Sequence, residues 1–392
     1  MLIYFIVLLI LIVPLFIYRG DQSSPLYNKY YWFECFVLIL LMGLRYRVGG
    51  DSIRYEAYFL AHPTFVEYLQ DKSWLDNQGF QPFWTIFQAI CKSITDEFII
   101  VQLLHSMFVN GIVFYFANRY VKARFTFIVL YYFLLYPYFS SEIMRESIAV
   151  SIFLLSYQYL VTKRYLKYFI FCFLAFMFHA SASIMISLPF IYPILSKIRG
   201  IKSLLFVFLI AFLISHFTVD LLGVLLDIFF SGNSLLETKA DDILASKGLN
   251  IFGIINKLIE MFPVFLVLYY VNKSKASYII SQQQFIVLIY LILNIIGMIY
   301  LPLNRLQNYF SILFLVVFVD FLTRKEYKLN NIWMMKIALM IMLAFKFLYY
   351  LSPLAGLTYF KDFRNYEFYV PYHSVFDKEK ELRRERSVNY QF

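Results

Sequence analysis

Long apolar runs, each closed by basic residues or a polar turn, constrain this chain more than any other feature. A helix needs about 20 residues, at 1.5 Å each, to cross the ~30 Å hydrocarbon core of a bilayer. Runs near that length cover Leu2–Tyr18, Tyr30–Leu44, Phe98–Ala117, Phe125–Phe139, Ile148–Val161, Leu204–Leu222 and Ile251–Val271. Three more follow at Phe285–Leu301, Leu306–Leu322 and Ile332–Leu351. With 61% hydrophobic and only 15% charged residues, the chain lacks the charged coat of a soluble domain. Lipid is therefore the solvent for much of its surface, and the expected fold is an all-α, polytopic transmembrane helical bundle.

The remaining composition excludes other classes. Cys35, Cys91 and Cys172 are scattered, with no spacing suited to a metal or a disulfide framework. The net charge of +10 does not indicate nucleic acid, because the cations fall at span ends and in short loops, as in positive-inside anchoring. Met1–Tyr18 has no basic leader or small-residue cleavage site and reads as an uncleaved first span.

Cation placement sets the sidedness. Three basic groups, Arg119/Lys122/Arg124, Lys163/Arg164/Lys167 and Lys197/Arg199/Lys202, mark inner loops. For the third to lie inside, Leu166–Leu195 must go out and return, as a hairpin broken at the polar run around His179. The total is then about twelve crossings. The same alternation puts Lys273/Lys275 and Arg324/Lys325/Lys328 inside. It puts segments 45–82, 140–146, 231–250 and 302–305 outside. A polar tail, 353–392, follows the transmembrane domain 1–352; the alternation puts it outside too, whereas its strongly basic run Lys378–Arg386 favours the inside, so both sides stay open for it. Phe80–Ser93 is too short to cross and reads as an interfacial or re-entrant helix. No internal repeat is evident, which argues against a transporter built of inverted halves.

Ionisable groups at span mouths are the functional candidates, since each is costly to place there unpaired. After the second span comes Arg45-Tyr46-Arg47-Val48-Gly49-Gly50-Asp51-Ser52-Ile53-Arg54-Tyr55-Glu56. A helix starting near Asp51 puts Asp51, Arg54 and Tyr55 on one face. Guanidinium forks match phosphate oxygens, although a plain charged loop would read the same way. Glu142, Arg145 and Glu146 stand at i, i+3 and i+4 and are expected to line one face entering the fifth span; an internal salt bridge is the alternative. His179, beside Ser181 and Ser183, suits proton transfer or simple packing. Arg305 stands at a break, Pro302-Leu303-Asn304-Arg305, as ligand or anchor. His105, His216 and Asp227 lack polar company at helical spacing, and Lys257 with Glu260 reads as a structural ion pair.

These segments carry a family resemblance. RYRVGGDSIRY, MRESIAVSIFLLSYQYL, FHASASIMISLPFIY, NRLQNYFSI and PYHSVF, in that order, resemble the EpsG-like branch of Wzy-type bacterial polysaccharide polymerases. The resemblance implies polymerisation of undecaprenyl-diphosphate-linked oligosaccharide repeat units for O-antigen, capsule or exopolysaccharide. The growing glycan would pass from its lipid carrier to a sugar hydroxyl of the incoming unit, at the outer face of the bacterial inner membrane. It also implies the fold of membrane-type, lipid-phosphate-dependent glycosyltransferases, without metal or other cofactor. Membrane lipids, a flippase and a chain-length regulator are the implied partners. Under it, Arg45, Arg47, Arg54, Arg145 and Arg305 would bind diphosphate, and His179, Glu146 and Asp51 would be catalytic. Arg145-Glu146 fits the usual Arg-Gln or Arg-Glu pair, whereas Ala180 stands where a lysine often follows the histidine. A flippase for lipid-linked oligosaccharide and a membrane acyltransferase are the alternatives from other classes.

Overall fold

In the computed structural model the apolar runs become helices, with no strand among the described residues. Those residues are 2–18, 24–71, 81–200, 257–275, 277–299, 301–324, 329–353 and 363–389, with positions 202, 203, 205–207, 209 and 210. The expected run Leu204–Leu222 lies largely outside them, and the loop 231–250, His216 and Asp227 lie wholly outside.

Among the described residues, four helices are long and apolar enough to cross a membrane: Ile99–Tyr120, Tyr278–Met298, Leu303–Thr323 and Trp333–Leu351. The count of about twelve is larger because it takes in runs that fold as shorter helices. Pro137 withdraws a backbone donor, and there the run Phe125–Phe139 passes into a π-helical turn, Tyr138–Glu142. Leu166–Leu195 breaks around the polar stretch, as expected, into two helices of 12 residues each, Tyr165–Phe176 and Ile184–Leu195, joined by a 3-10 turn. Each is about 18 Å long, short of a full crossing.

The chain forms two compact units. The first comprises Met1–Gln158, Leu166–Ala182 and Leu343–Phe392. Its helices are α1 (Leu2–Tyr18), α2 (Pro25–Gly43), α3 (Gly50–Ala61), α4 (Phe65–Gln70), α5 (Pro82–Ile94), α6 (Ile99–Tyr120), α7 (Arg124–Leu134), α8 (Met144–Val161) and α9 (Tyr165–Phe176). Helices α2 and α6 pack closely because Gly43 has no side chain: a Cβ there would fall 2.7 Å from Leu103 Cδ1. Buried hydroxyls replace water along the seam, Tyr31 donating to Phe114 O at 2.6 Å and Ser106 to Ile39 O at 3.0 Å. Phe5, Phe16, Phe33 and Phe36 point outward, as lipid-facing side chains do.

The second unit comprises Tyr159–Tyr165 and Ser183–Met342. It holds α10 (Ile184–Leu195), α11 (Phe262–Lys273), α12 (Tyr278–Ile299) and α13 (Asn308–Thr323). Helices α12 and α13 meet through Tyr290 stacked on Phe314 at 4.7 Å and Phe285 against Phe310 at 5.9 Å. Lys257 and Glu260 form the expected ion pair, at 3.0 Å. At the end of α13, Arg324 pairs with Asp320 at 2.6 Å, and Gln283 donates to the same carboxylate at 2.8 Å. Arg199 donates to the Val271 and Ser274 carbonyls at the C-terminus of α11.

Helix α14 (Leu329–Leu351) precedes the C-terminal segment, which ends in α15 (Leu382–Asn389). That segment, expected as a polar tail, is folded onto the first unit. Phe363, Phe368, Tyr369 and Val388 form an apolar core with Val48 and Ile53 of the arginine segment. Tyr46 N–H donates to His373 O at 2.8 Å, Gly49 N–H to Phe368 O at 2.8 Å, and Val375 N–H to Leu44 O at 2.9 Å. The start of α1 joins the same cluster through the Tyr4 hydroxyl on Tyr369 O, 3.1 Å. The start of α1, the end of α2, the π turn, the end of α14 and the tail thus share one end of this unit. The opposite end carries an aromatic cluster of Tyr18, Tyr27, Tyr30 and Phe125, with Arg124 over the Tyr27 ring at 5.6 Å.

Candidate functional site

The shared end of the first unit is organised from Arg45 upward. Arg45 is fully buried, and each of its guanidinium nitrogens donates inward. Nε donates to Val48 O at 3.2 Å, Nη1 to Met42 O, and Nη2 to Ser52 Oγ at 3.2 Å and the Met144 sulfur at 3.5 Å. It folds the segment between α2 and α3 around itself. Desolvation lowers its pKa to about 10.

The two glycines then let the chain turn against the π turn. Gly49 has φ 93°, and a Cβ there would fall 2.6 Å from Ser141 Cβ. Helix α3 starts at Gly50, next to Asp51 as expected, with its first amides bound by a carboxylate from elsewhere in the chain. Glu142 Oε1 accepts from Gly50 N–H at 3.0 Å and Oε2 from Asp51 N–H at 3.2 Å. Anions are favoured at such a helix start. This corrects the expectation that Glu142, Arg145 and Glu146 line one helical face. The π turn ends at Glu142, Ile143 is non-helical (φ −108°, ψ 45°), and α8 begins at Met144, so Glu142 points to α3 instead.

Arg47 is held by the tail. Its Nε and Nη2 take both oxygens of Glu385, a bidentate pair, while Nη1 bonds Glu56 at 2.6 Å. The Glu385 hydrogen bonds push the Arg47 pKa up. Arg384, 1% exposed, locks the tail in place. It donates to the carbonyls of Glu367 at 2.9 Å, Arg47 at 2.8 Å and Pro371 at 2.7 Å.

The other arginines face outward. Arg54 is half-buried and lies 3.9 Å from Asp51 one turn earlier on α3, so the expected shared face forms. Arg145 is also half-buried; Nε donates to the Tyr55 hydroxyl and Nη1 to Gln81 Oε1, both at 3.1 Å. Gln81 precedes α5, the short helix expected to be interfacial or re-entrant. Trp84 of α5 packs on Tyr55 at 5.2 Å, and Phe83 packs on Phe178 at 5.8 Å while its N–H donates to Met177 O at 3.0 Å. Residues 81–84 therefore tie Arg145 to the segment that ends in His179. His179 Nδ1 lies 2.6 Å from Ser181 Oγ and accepts from Ser181 N–H at 3.3 Å.

The structure thus brings Arg45, Arg47, Asp51, Arg54, Arg145, Glu146 and His179 into one unit, while Arg305 is exposed in the second, on the 3-10 helix Leu301–Gln307. Glu146 is buried, 1% exposed, on the first turn of α8. His105 gains the polar company missing from its own helix: Nε2 lies 3.0 Å from Met144 O and 2.9 Å from Ser147 Oγ of α8. Sequence reasoning missed the tail residues Tyr369, Arg384 and Glu385, which hydropathy cannot distinguish from a solvated charge run. Among the described residues no group of three or more His, Cys, Asp or Glu is placed to hold a metal ion.

The EpsG family model matches residues 28–374, most of the chain, and the chain therefore belongs to the EpsG family. No curated protein and no solved structure matches it. The family match ends before α15, so Arg384 and Glu385 act on a family-matched loop from outside the matched stretch.

Proposed function

For this membrane protein of the EpsG family, which points to polysaccharide biosynthesis, we propose the polymerase reaction. A growing glycan on an undecaprenyl diphosphate carrier is transferred to a sugar hydroxyl of an incoming lipid-linked unit. The reaction would take place at the outer face of the bacterial inner membrane. The observation that carries this reading is the grouping of half-buried Arg54 and Arg145 with Asp51 and Glu142 at one end of the first unit, where residues 81–84 link Arg145 to the segment that precedes His179.

A diphosphate leaving group gains negative charge as its bond to the anomeric carbon breaks, and fixed cations stabilise that charge without reorganising. Arg54 and Arg145 fill this role, with Arg145 aimed by Tyr55 and Gln81. Arg45 and Arg47, expected as phosphate ligands, are instead bound to protein groups and shape the loop. Asp51 orients Arg54, and His179, with Nδ1 accepting, carries its ring proton on Nε2 and donates toward an oxyanion. Arg305 is proposed separately, as a contact for the carrier headgroup beside the second unit.

Arg145→Ala and His179→Ala should each accumulate single lipid-linked units while protein levels hold. Long-chain polysaccharide of normal length in both variants would overturn the reading. Protein in vesicles that translocates lipid-linked units without lengthening them would indicate a flippase. Loss of glycan acylation with chain length intact on deletion would indicate an acyltransferase.

A further inference from the structure

Transfer of a glycan to a sugar hydroxyl requires a group that takes the hydroxyl proton. The inference that follows rests on the polymerase reading and concerns that group. In the tautomer its Ser181 contact selects, His179 holds its proton on Nε2 and has its other nitrogen occupied, so it is a donor and not a base. Glu146 is buried in the first turn of α8. Asp51, its side chain 38% accessible, faces Arg54.

Glu142 stands apart from these. Its carboxylate is fixed by three donors, the Gly50 and Asp51 amides of α3 and the Tyr369 hydroxyl of the tail, while Ser141 Oγ, 3.4 Å away, gives its hydrogen to Pro137 O at 2.7 Å. The two amides and the tyrosine hydroxyl take three of the four lone-pair sites of the carboxylate and leave one for a proton. Gly49 makes room for this approach, since a Cβ there would lie 3.1 Å from Oε1. Asp51 of α3 opposes its ionisation, whereas Tyr349 and Tyr350 of α14, neutral near pH 7, add no charge. Arg45 before α3, Arg54 on it and Arg384 of α15 favour ionisation. Burial outweighs the favourable contacts and raises the carboxyl from its ordinary 4.5 to about 7. A base works best when its pKa lies near the working pH.

We propose that Glu142 is the proton acceptor of the transfer, held in place by the start of α3 and by Tyr369. The acceptor hydroxyl oxygen forms its bond to the anomeric carbon while its proton passes to a Glu142 oxygen. The bond from that carbon to the phosphate oxygen breaks, and its electron pair leaves with the lipid diphosphate. Glu142 then releases the proton to water, which restores the carboxylate.

The test uses the full chain in vesicles with lipid-linked repeat units, measuring chain-elongation rate from about pH 5 to about pH 9 for wild type, Glu142→Gln and Glu142→Asp. The wild-type rate should rise with pH and level off above about 7. Glu142→Gln should lose about 100-fold or more in kcat, with KM for the lipid-linked unit nearly unchanged and no rising limb. Glu142→Asp, which keeps a carboxylate, should retain part of the rate and shift the limb. A glutamine variant that elongates at the wild-type rate, or keeps the same limb, would overturn the role. If the glutamine variant fails to accumulate in membranes, an aspartate variant with the wild-type limb unmoved would overturn it equally. Wild-type protein that makes no longer glycan would sink the polymerase reading itself, and the proton-acceptor role with it.

Discussion

Arg45 and Arg47 lie within ten residues of Arg54, yet the molecule uses that pair and Arg54 in opposite ways. Arg45 spends its nitrogens on Met42, Val48, Ser52 and Met144, and Arg47 spends its own on Glu385 and Glu56. Arg54 and Arg145, on α3 and α8, stay half-buried at the surface of the same cluster. A fully buried arginine whose donors meet fixed protein groups shapes a loop, whereas a half-buried one keeps surface that a ligand can reach. One motif therefore contains both a scaffold and a binding surface, and substitutions should separate them.

The largest effect is expected at the scaffold. Arg45→Ala leaves buried carbonyls at Met42 and Val48 unpaired and should cost about 3–5 kcal/mol, seen as lost membrane protein, a result Arg145→Ala should not give. Gly49→Ala combines a positive φ of 93° with a Cβ 2.6 Å from Ser141. It should cost about 2 kcal/mol or more, read as a lower thermal midpoint in detergent. Glu385→Gln weakens the fork on Arg47 and should cost about 1–3 kcal/mol; Arg47→Glu combined with Glu385→Arg should recover part of that loss if pairing is what matters. On the binding surface, Arg145→Lys keeps the charge but not the fork. It should leave stability within about 0.5 kcal/mol while slowing elongation more than about tenfold.

Glu142 adds a pH signature to the scaffold. Its carboxyl is raised in the folded protein, so the folded state binds the proton more tightly than the unfolded chain. That contribution to stability is complete below about 4.5 and is lost as pH rises through about 7. Thermal midpoints of wild type and Glu142→Gln across this window should differ in slope, with the flatter profile in the glutamine variant.

The membrane class, the start of α3 and the break before His179 were legible because each rests on local sequence: apolar length, a glycine pair, a polar interruption. The partners were not. Glu142 looked like part of a helical face with Arg145, and only the π turn after Pro137 sends it to Gly50 and Asp51 instead. His105 looked isolated because its partners, Met144 and Ser147, lie on another helix. The run Lys378–Arg386 read only as strongly basic, because a charge count does not show that Arg384 turns inward onto three carbonyls. Periodicity reports which residues share an element, and long-range hydrogen bonds decide what the element is for.

The most direct test of the polymerase reading is the glycan length distribution made by purified protein in vesicles supplied with lipid-linked repeat units, wild type beside Arg145→Lys. The account predicts a ladder of lengthened glycans from the wild type and mostly single units from the variant, at equal protein levels. Single units from both, whether translocated or acylated, would contradict it.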